Sequence, residues 1–255
     1  MFFLLAFFFI IGAAIGSFLN VVIDRVALGE HILGRSYCNH CRATLKTLDL
    51  VPIVSFVGLG GRCRYCRRPI SWQYPLVELA TATLFIYLAY FLVLSQVFSL
   101  FAFVYFALVL AILIVVAVVD IKFSLVPTTF VFAGAIVALF YSYFNLTSQE
   151  FVVNVFVAAV LAVALLLVVV LTRGRGMGSG DIPLVFLISL FLGWPKSAVA
   201  IFAAFVLGAV VALSLIIAGR KKFGQTIPFA PFLVTGTILA LFWGTQLLDW
   251  YLGLF

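Results

Sequence analysis

The chain has 255 residues, 66% of them hydrophobic and only 9% charged, with a formal net charge of +7. A soluble domain carries roughly 25% charged residues, so this composition excludes one and describes a polytopic membrane protein. Positive charge can serve nucleic acid, but on a membrane protein it more often records orientation, and the placement of the basic residues decides between the two.

A spanning helix needs about 20 largely apolar residues. The first such segment runs from Phe2 to Ile23. Its start, Met1 to Phe9, carries no basic residue and no small-residue cleavage site stands out, so it is read as part of a retained span. Gly12 and Gly16 form a small-xxx-small step that suits close helix packing. Asn20 and Arg25 stand at this helix's far end.

Asp24 to Pro75 is the one polar stretch long enough to form something of its own. It holds all four cysteines, as Cys38-Asn39-His40-Cys41 and Cys63-Arg64-Tyr65-Cys66. Two CxxC knuckles separated by roughly 20 residues match a four-cysteine zinc ribbon, each knuckle presenting two thiolates to a tetrahedral ion. So small a module holds little core, and metal binding would supply most of its folding free energy. Two disulfides are the alternative, disfavoured if the module faces a reducing cytoplasm. His31 and His40 could compete as ligands, but four cysteines already fill the shell. A closed thiolate shell leaves no position for substrate, which makes the module structural.

The later spans are expected at Leu76 to Leu94, Phe98 to Val119, Val126 to Tyr143, Phe151 to Thr172, Ile182 to Trp194, Ala198 to Ala218 and Pro228 to Leu252. The fold class is thus an all-α polytopic membrane protein of about eight transmembrane helices, with a zinc-ribbon-like insertion between the first and second. The parts are a first helix over residues 1–23, a zinc-binding domain over 24–75 and a transmembrane core over 76–255. The sixth span is short, and a broken or re-entrant piece is tolerated only where protein or water surrounds it. Glu78 lies just inside the second span as another membrane-edge acid, with an interfacial residue paired to Arg67 or Arg68 as the bland alternative.

Two other acids stand out. Asp120 closes the third apolar run, and Asp181 ends the hexapeptide Gly176-Met177-Gly178-Ser179-Gly180-Asp181 just as the sixth begins. An ionisable side chain at such a depth costs on the order of 3 kcal/mol on insertion scales, so it is usually kept for a function. The three glycines allow positive φ and close approach of another chain, as an extended peptide would need. With the N-terminus outside, every Lys and Arg except Lys196 falls on the inner side, and the connections Ser95 to Val97 and Phe144 to Glu150 carry none. Asp120 and Asp181 then share the cytoplasmic face. The basic balance speaks of orientation and anionic lipid, with nucleic acid a poor second.

Two carboxylates sharing a site hold a single proton near neutrality, an arrangement suited to hydrolysing a peptide bond without a covalent intermediate. One would take a proton from the attacking water while the other donates to the carbonyl oxygen, and the sequence leaves open which is which. The bland alternative has Asp120 capping a loop and Asp181 capping the sixth helix. A metal between them is weaker, since no histidine is near in sequence. A non-enzymatic transporter or scaffold, with the zinc module docking a partner, is the competing class of function.

With these residues together, the sequence resembles the bacterial type IV prepilin peptidases, leader peptidases that also act as N-methyltransferases. Gly16 to Arg25 resembles that family's first-helix signature and the CxxC pairs its zinc domain. Tyr74 to Leu79 resembles the start of its second helix, Asp120 to Pro127 and Gly176 to Asp181 its two aspartate motifs, and Ile227 to Phe232 the start of its last helix. The resemblance implies Asp120 and Asp181 as catalytic residues, and Cys38, Cys41, Cys63 and Cys66 as ligands of a structural Zn²⁺. It implies type IV prepilins or pseudopilins as substrates, S-adenosylmethionine as methyl donor, and multi-pass residence in the bacterial inner membrane with the active site at the cytoplasmic face. The chain departs from the family pattern at Asn39, Thr128 and Pro183. A presenilin-type protease shares the GxGD acid but would cut within the substrate's span.

Overall fold

The computed structural model describes residues 2–32, 34–174, 177–222 and 227–253. Gly176, the first glycine of the hexapeptide, lies outside them. Nine α-helices appear among the described residues and no strands: α1 (Phe2–Leu28), α2 (Val54–Gly58), α3 (Gln73–Leu94), α4 (Leu100–Phe123), α5 (Thr128–Asn145), α6 (Ser148–Leu171), α7 (Asp181–Leu192), α8 (Lys196–Ile217) and α9 (Ala230–Leu252). Seven of these, all but α2 and α7, are long and apolar enough to cross a membrane. This is a multi-pass membrane protein. The chain forms two compact units, residues 1–115 and 116–255, with α4 running from one into the other.

In the first unit α1 packs against α3. Gly12 and Gly16 make this possible, because a Cβ on either would stand 2.7 Å from backbone, from the Cα of Ala82 and of Glu78 respectively. The small-xxx-small step therefore works as expected, letting two main chains meet where side chains would hold them apart. Phe8 of α1 and Phe85 of α3 both pack on Phe103 of α4, with ring centroids at 4.6 and 5.7 Å.

The insertion hangs from the ends of α1 and α3. Asn20 is buried and donates to the Tyr74 carbonyl at 3.0 Å, while the Tyr74 hydroxyl donates to Asp24 at 2.5 Å and accepts from Asn39 at 3.1 Å. Arg25 is buried as well and does not snorkel. Its guanidinium donates to the carbonyls of Ile32 at 2.6 Å and Arg35 at 3.0 Å, drawing the following loop onto the end of α1.

Glu78 takes a partner that the sequence did not suggest. Its buried carboxylate accepts the backbone N–H of Ile53 at 2.7 Å instead of pairing with Arg67 or Arg68. Ile53 itself has φ 62 and ψ −50, and the Val54 N–H donates back to the Pro52 carbonyl at 2.5 Å. That is a γ-turn of the rare, strained hand centred on a β-branched residue. A buried carboxylate holding the turn's amide helps to fix this conformation.

In the second unit α7 is the central strut. Leu184, Leu187, Ile188 and Leu190 are at most 1% exposed, and α5, α6, α8 and α9 pack around the helix. With only 12 residues α7 is too short to span by itself, and it is enclosed by protein on its flanks, as a short piece at membrane depth must be. Thr147 starts α6 with a capping box, its hydroxyl accepting the Glu150 N–H while the Glu150 carboxylate accepts the Thr147 N–H. Gly236 lets α9 approach α8 so closely that any Cβ there would run into the Ala200 carbonyl.

Candidate active site

Asp120 and Asp181 belong to the same unit and lie at the same end of it. Asp120 sits in the last turn of α4, which Ser124 terminates with φ 52 and an N–H donated to the Asp120 carbonyl at 2.8 Å. Asp181 is the first residue of α7, and its carboxylate reaches back to accept the Gly178 N–H at 3.2 Å. Both side chains are buried.

A backbone donor missed by the sequence reading completes the site. The Ala230 N–H, first in α9, donates to Asp120 at 3.1 Å. Asp120 therefore stands at the N-terminus of α9 as Asp181 stands at the N-terminus of α7, each where amide groups are oriented toward negative charge. Asp120 does not simply cap a loop. The signal was present in Pro231, since proline in the first turn marks a helix start, where the first amides lack partners within the helix.

Glycine's role in the hexapeptide differs in part from the expectation. Neither Gly178 nor Gly180 has positive φ; that conformation falls earlier, at Arg173 and Gly174. Gly180 is needed for closeness, because a Cβ there would come within 2.8 Å of the Val126 Cβ. The loop after Asp120 and the loop before Asp181 are thus packed against each other. Pro183, third in α7, lacks an N–H at a position where none would be bonded within the helix.

The four cysteines converge as the spacing requires, their sulfurs all within 4.8 Å of one another and Cys38 Sγ 3.9 Å from Cys66 Sγ. Tetrahedral zinc with Zn–S bonds of about 2.3 Å separates sulfurs by about 3.8 Å, so the cluster could hold such an ion with a small contraction. The knuckles repeat one conformation. Arg42 N–H donates to the Cys38 carbonyl and Arg67 N–H to the Cys63 carbonyl, with φ 57 at Arg42 and 58 at Arg67. Burial pushes the Cys38 thiol up, but hydrogen bonds from the Cys41 and His40 backbone outweigh it and bring it down to about 7. Cys66 goes the other way, to about 11, where an Arg68 backbone hydrogen bond is outweighed by burial and the neighbouring thiols. A metal ion would have to displace protons from such thiols, so its binding is coupled to pH. His40 sits outside the cluster, its ring 3.4 Å from the Arg68 guanidinium.

Comparison with known proteins covers nearly the whole chain. Residues 10–92, which include the four cysteines and Glu78, match the bacterial peptidase A24 N-terminal domain, and residues 107–213, with both aspartates, match the type IV leader peptidase family. A prepilin leader peptidase/N-methyltransferase of Bacillus subtilis (strain 168) is 33% identical over 258 residues, covering 98% of both chains. The chain belongs to the type IV leader peptidase family. Similarly named relatives are 30% identical in Burkholderia pseudomallei (strain 1026b), over 94% of this chain and 86% of the relative, and 28% identical in Legionella pneumophila, over 94% and 91%. No solved structure matches. Membership in a leader peptidase family disfavours the transporter or scaffold alternative.

Proposed function

We propose that the chain is a membrane aspartyl endopeptidase that removes the leader peptide of type IV prepilins or pseudopilins at the cytoplasmic face of the inner membrane. Asp120 and Asp181 are its catalytic residues. What supports this is that both carboxylates are buried at one end of one unit, each against a helix N-terminus, in a chain of this family. The basic residues support the orientation: Arg173, Arg220, Lys221 and Lys222 follow α6 and α8 at the end of the unit that carries the two acids.

In the reaction the pair shares one proton. The ionised carboxylate takes a proton from water as the oxygen attacks the scissile carbonyl, and the protonated one donates to the carbonyl oxygen. On collapse a proton passes to the amine, the C–N bond breaks, and the leader's new carboxylate and the pilin's new amine depart. The Ala230 and Gly178 amides hold one oxygen of each aspartate, leaving the other for water or substrate.

Residues 24–75 act as a zinc-binding domain with Cys38, Cys41, Cys63 and Cys66 as ligands, and the ion there is structural. Methylation of the new N-terminus from S-adenosylmethionine is proposed from the relatives' name, with no residue assigned to it. Incubating the purified protein with a prepilin, with and without S-adenosylmethionine, tests both activities by product mass. Leader loss in both samples and a methyl group only with the donor are expected. An unchanged prepilin mass in both would remove the reading, and cleavage within the apolar span would assign the chain to presenilin-type chemistry.

A further inference from the structure

Where the insertion meets the membrane helix, its α2 and the first turns of α3 border an apolar groove of about 610 Å³, within the roughly 300–1,000 Å³ range of ligand sites. Its walls include Phe56 and Val57 of α2, Trp72 just before α3, and Leu76 and Leu79 within α3. Val57, Trp72, Leu76 and Leu79 are 71, 69, 59 and 47% exposed, so the groove opens outward. Phe56 packs against Trp72 with ring centroids 5.0 Å apart and the rings tilted by 57°, which keeps one side of the groove in place.

Two features say what covers it. Leu76 and Leu79 belong to a membrane-crossing helix, so that wall is continuous with a surface facing acyl chains, and Trp72 lies where tryptophan marks the membrane–water interface. Arg62 lines the same groove, and the insertion as a whole carries eight basic and three acidic side chains between residues 24 and 75. Among the described residues the insertion's arginine–carboxylate ion pair is Arg64 with Asp49 at 2.6 Å, which leaves Arg62 outside it. An apolar slot at the interface with an arginine in its lining has the chemistry of a phospholipid site. The excess of positive charge selects an anionic headgroup.

We propose that this groove binds an anionic phospholipid, one acyl chain lying between α2 and α3 and the phosphate meeting Arg62, so that the insertion is seated on the bilayer by a specific lipid. The full-length protein, delipidated in detergent with its metal retained, is mixed with phosphatidylglycerol or phosphatidylcholine, and bound lipid is counted by native mass spectrometry. Phosphatidylglycerol is expected to be retained with about a fivefold preference, the equivalent of roughly 1 kcal/mol for one arginine near the headgroups. Arg62→Glu brings the preference to parity, and Val57→Glu, which places a carboxylate against the chain site, lowers retention of both lipids. Metal content reports folding of each variant, and Arg62→Gln replaces Arg62→Glu if the latter loses its metal. Equal retention of the two lipids by the wild type, or a preference that survives at residue 62, would overturn the proposal. So would displacement of bound phosphatidylglycerol by an apolar prepilin segment, which would give the groove to substrate.

Discussion

The Asp120 carboxylate accepts the backbone N–H of Ala230, 110 residues further along the chain, at 3.1 Å. One acid of the proposed pair is thus held by a main-chain group at the start of α9, while its partner Asp181 is held by the Gly178 amide. Removing the acceptor altogether leaves a buried amide without a partner, which costs about 1–3 kcal/mol. Asp120→Ala is therefore expected to lower thermal stability in detergent. Asp120→Asn keeps an oxygen for Ala230 and should remain close to the wild type. Equal melting temperatures for the two variants would show that this bond contributes nothing.

Gly180 gives a test of the site's packing. Gly180→Ala puts a methyl group 2.8 Å from the Val126 Cβ and must displace one loop from the other. A displacement of about 1 Å at a reacting group can lower turnover about 100-fold. Adding Val126→Ala makes room, so the double variant should recover a large part of the lost cleavage rate, a coupling that two independent sites would not display.

The contact of α1 with α3 is tested in the same spirit but with stability as the readout. At Gly12 and Gly16 the obstacle to a Cβ is backbone, which cannot rotate away. Gly16→Ala is expected to destabilise the first unit by about 1–3 kcal/mol, the usual penalty of overpacking, measured as a fall in melting temperature. An unchanged melt would mean that the helices separate freely.

Much of this was legible in the sequence because it depends on side-chain identity. Apolar length located the spans, paired cysteines located the four-sulfur cluster, and acids at the edge of apolar runs pointed to Asp120 and Asp181. Main-chain partners carry no such label. The Ala230 amide at Asp120 and the Ile53 amide at Glu78 could come only from the fold, and the second of them takes the place of the arginine pairing that was one of two readings for Glu78. Gly180 was visible as a glycine, yet closeness to Val126 rather than positive φ is its reason, and closeness is a tertiary fact. The short α7 was recognisable as unusual, while the helices that enclose it were not.

Chelation probes the cysteine cluster. The purified protein is expected to carry one zinc ion, and removing it should unfold residues 24–75 with a loss of protease resistance there, because a module of this size has little core of its own. Cys63→Ser, at the buried sulfur, should lose the ion as well. Metal analysis of the wild type returning no zinc, with all four thiols intact, would contradict the assignment.

The insertion should also respond to acid. Burial raises the Asp49 carboxyl, but the Arg64 guanidinium and the Lys46 N–H outweigh it and hold the group below the ordinary carboxylate range. Its folded value lies beneath its unfolded one, so its contribution is complete above the unfolded value and disappears as pH falls through the folded one. Asp49→Asn should therefore destabilise the insertion at neutral pH and flatten the acid side of its stability curve, as followed by local proteolysis against pH. An unchanged acid slope in the variant would assign that slope to other groups.

The most direct test of the central claim is cleavage of a prepilin by Asp120→Asn and by Asp181→Asn, each purified with its zinc content and melting temperature intact, followed by the mass of the product. A shared-proton pair predicts that either substitution alone abolishes release of the leader, because an amide can neither take the proton from water nor complete the pair. Leader release at a wild-type rate by either variant would contradict it.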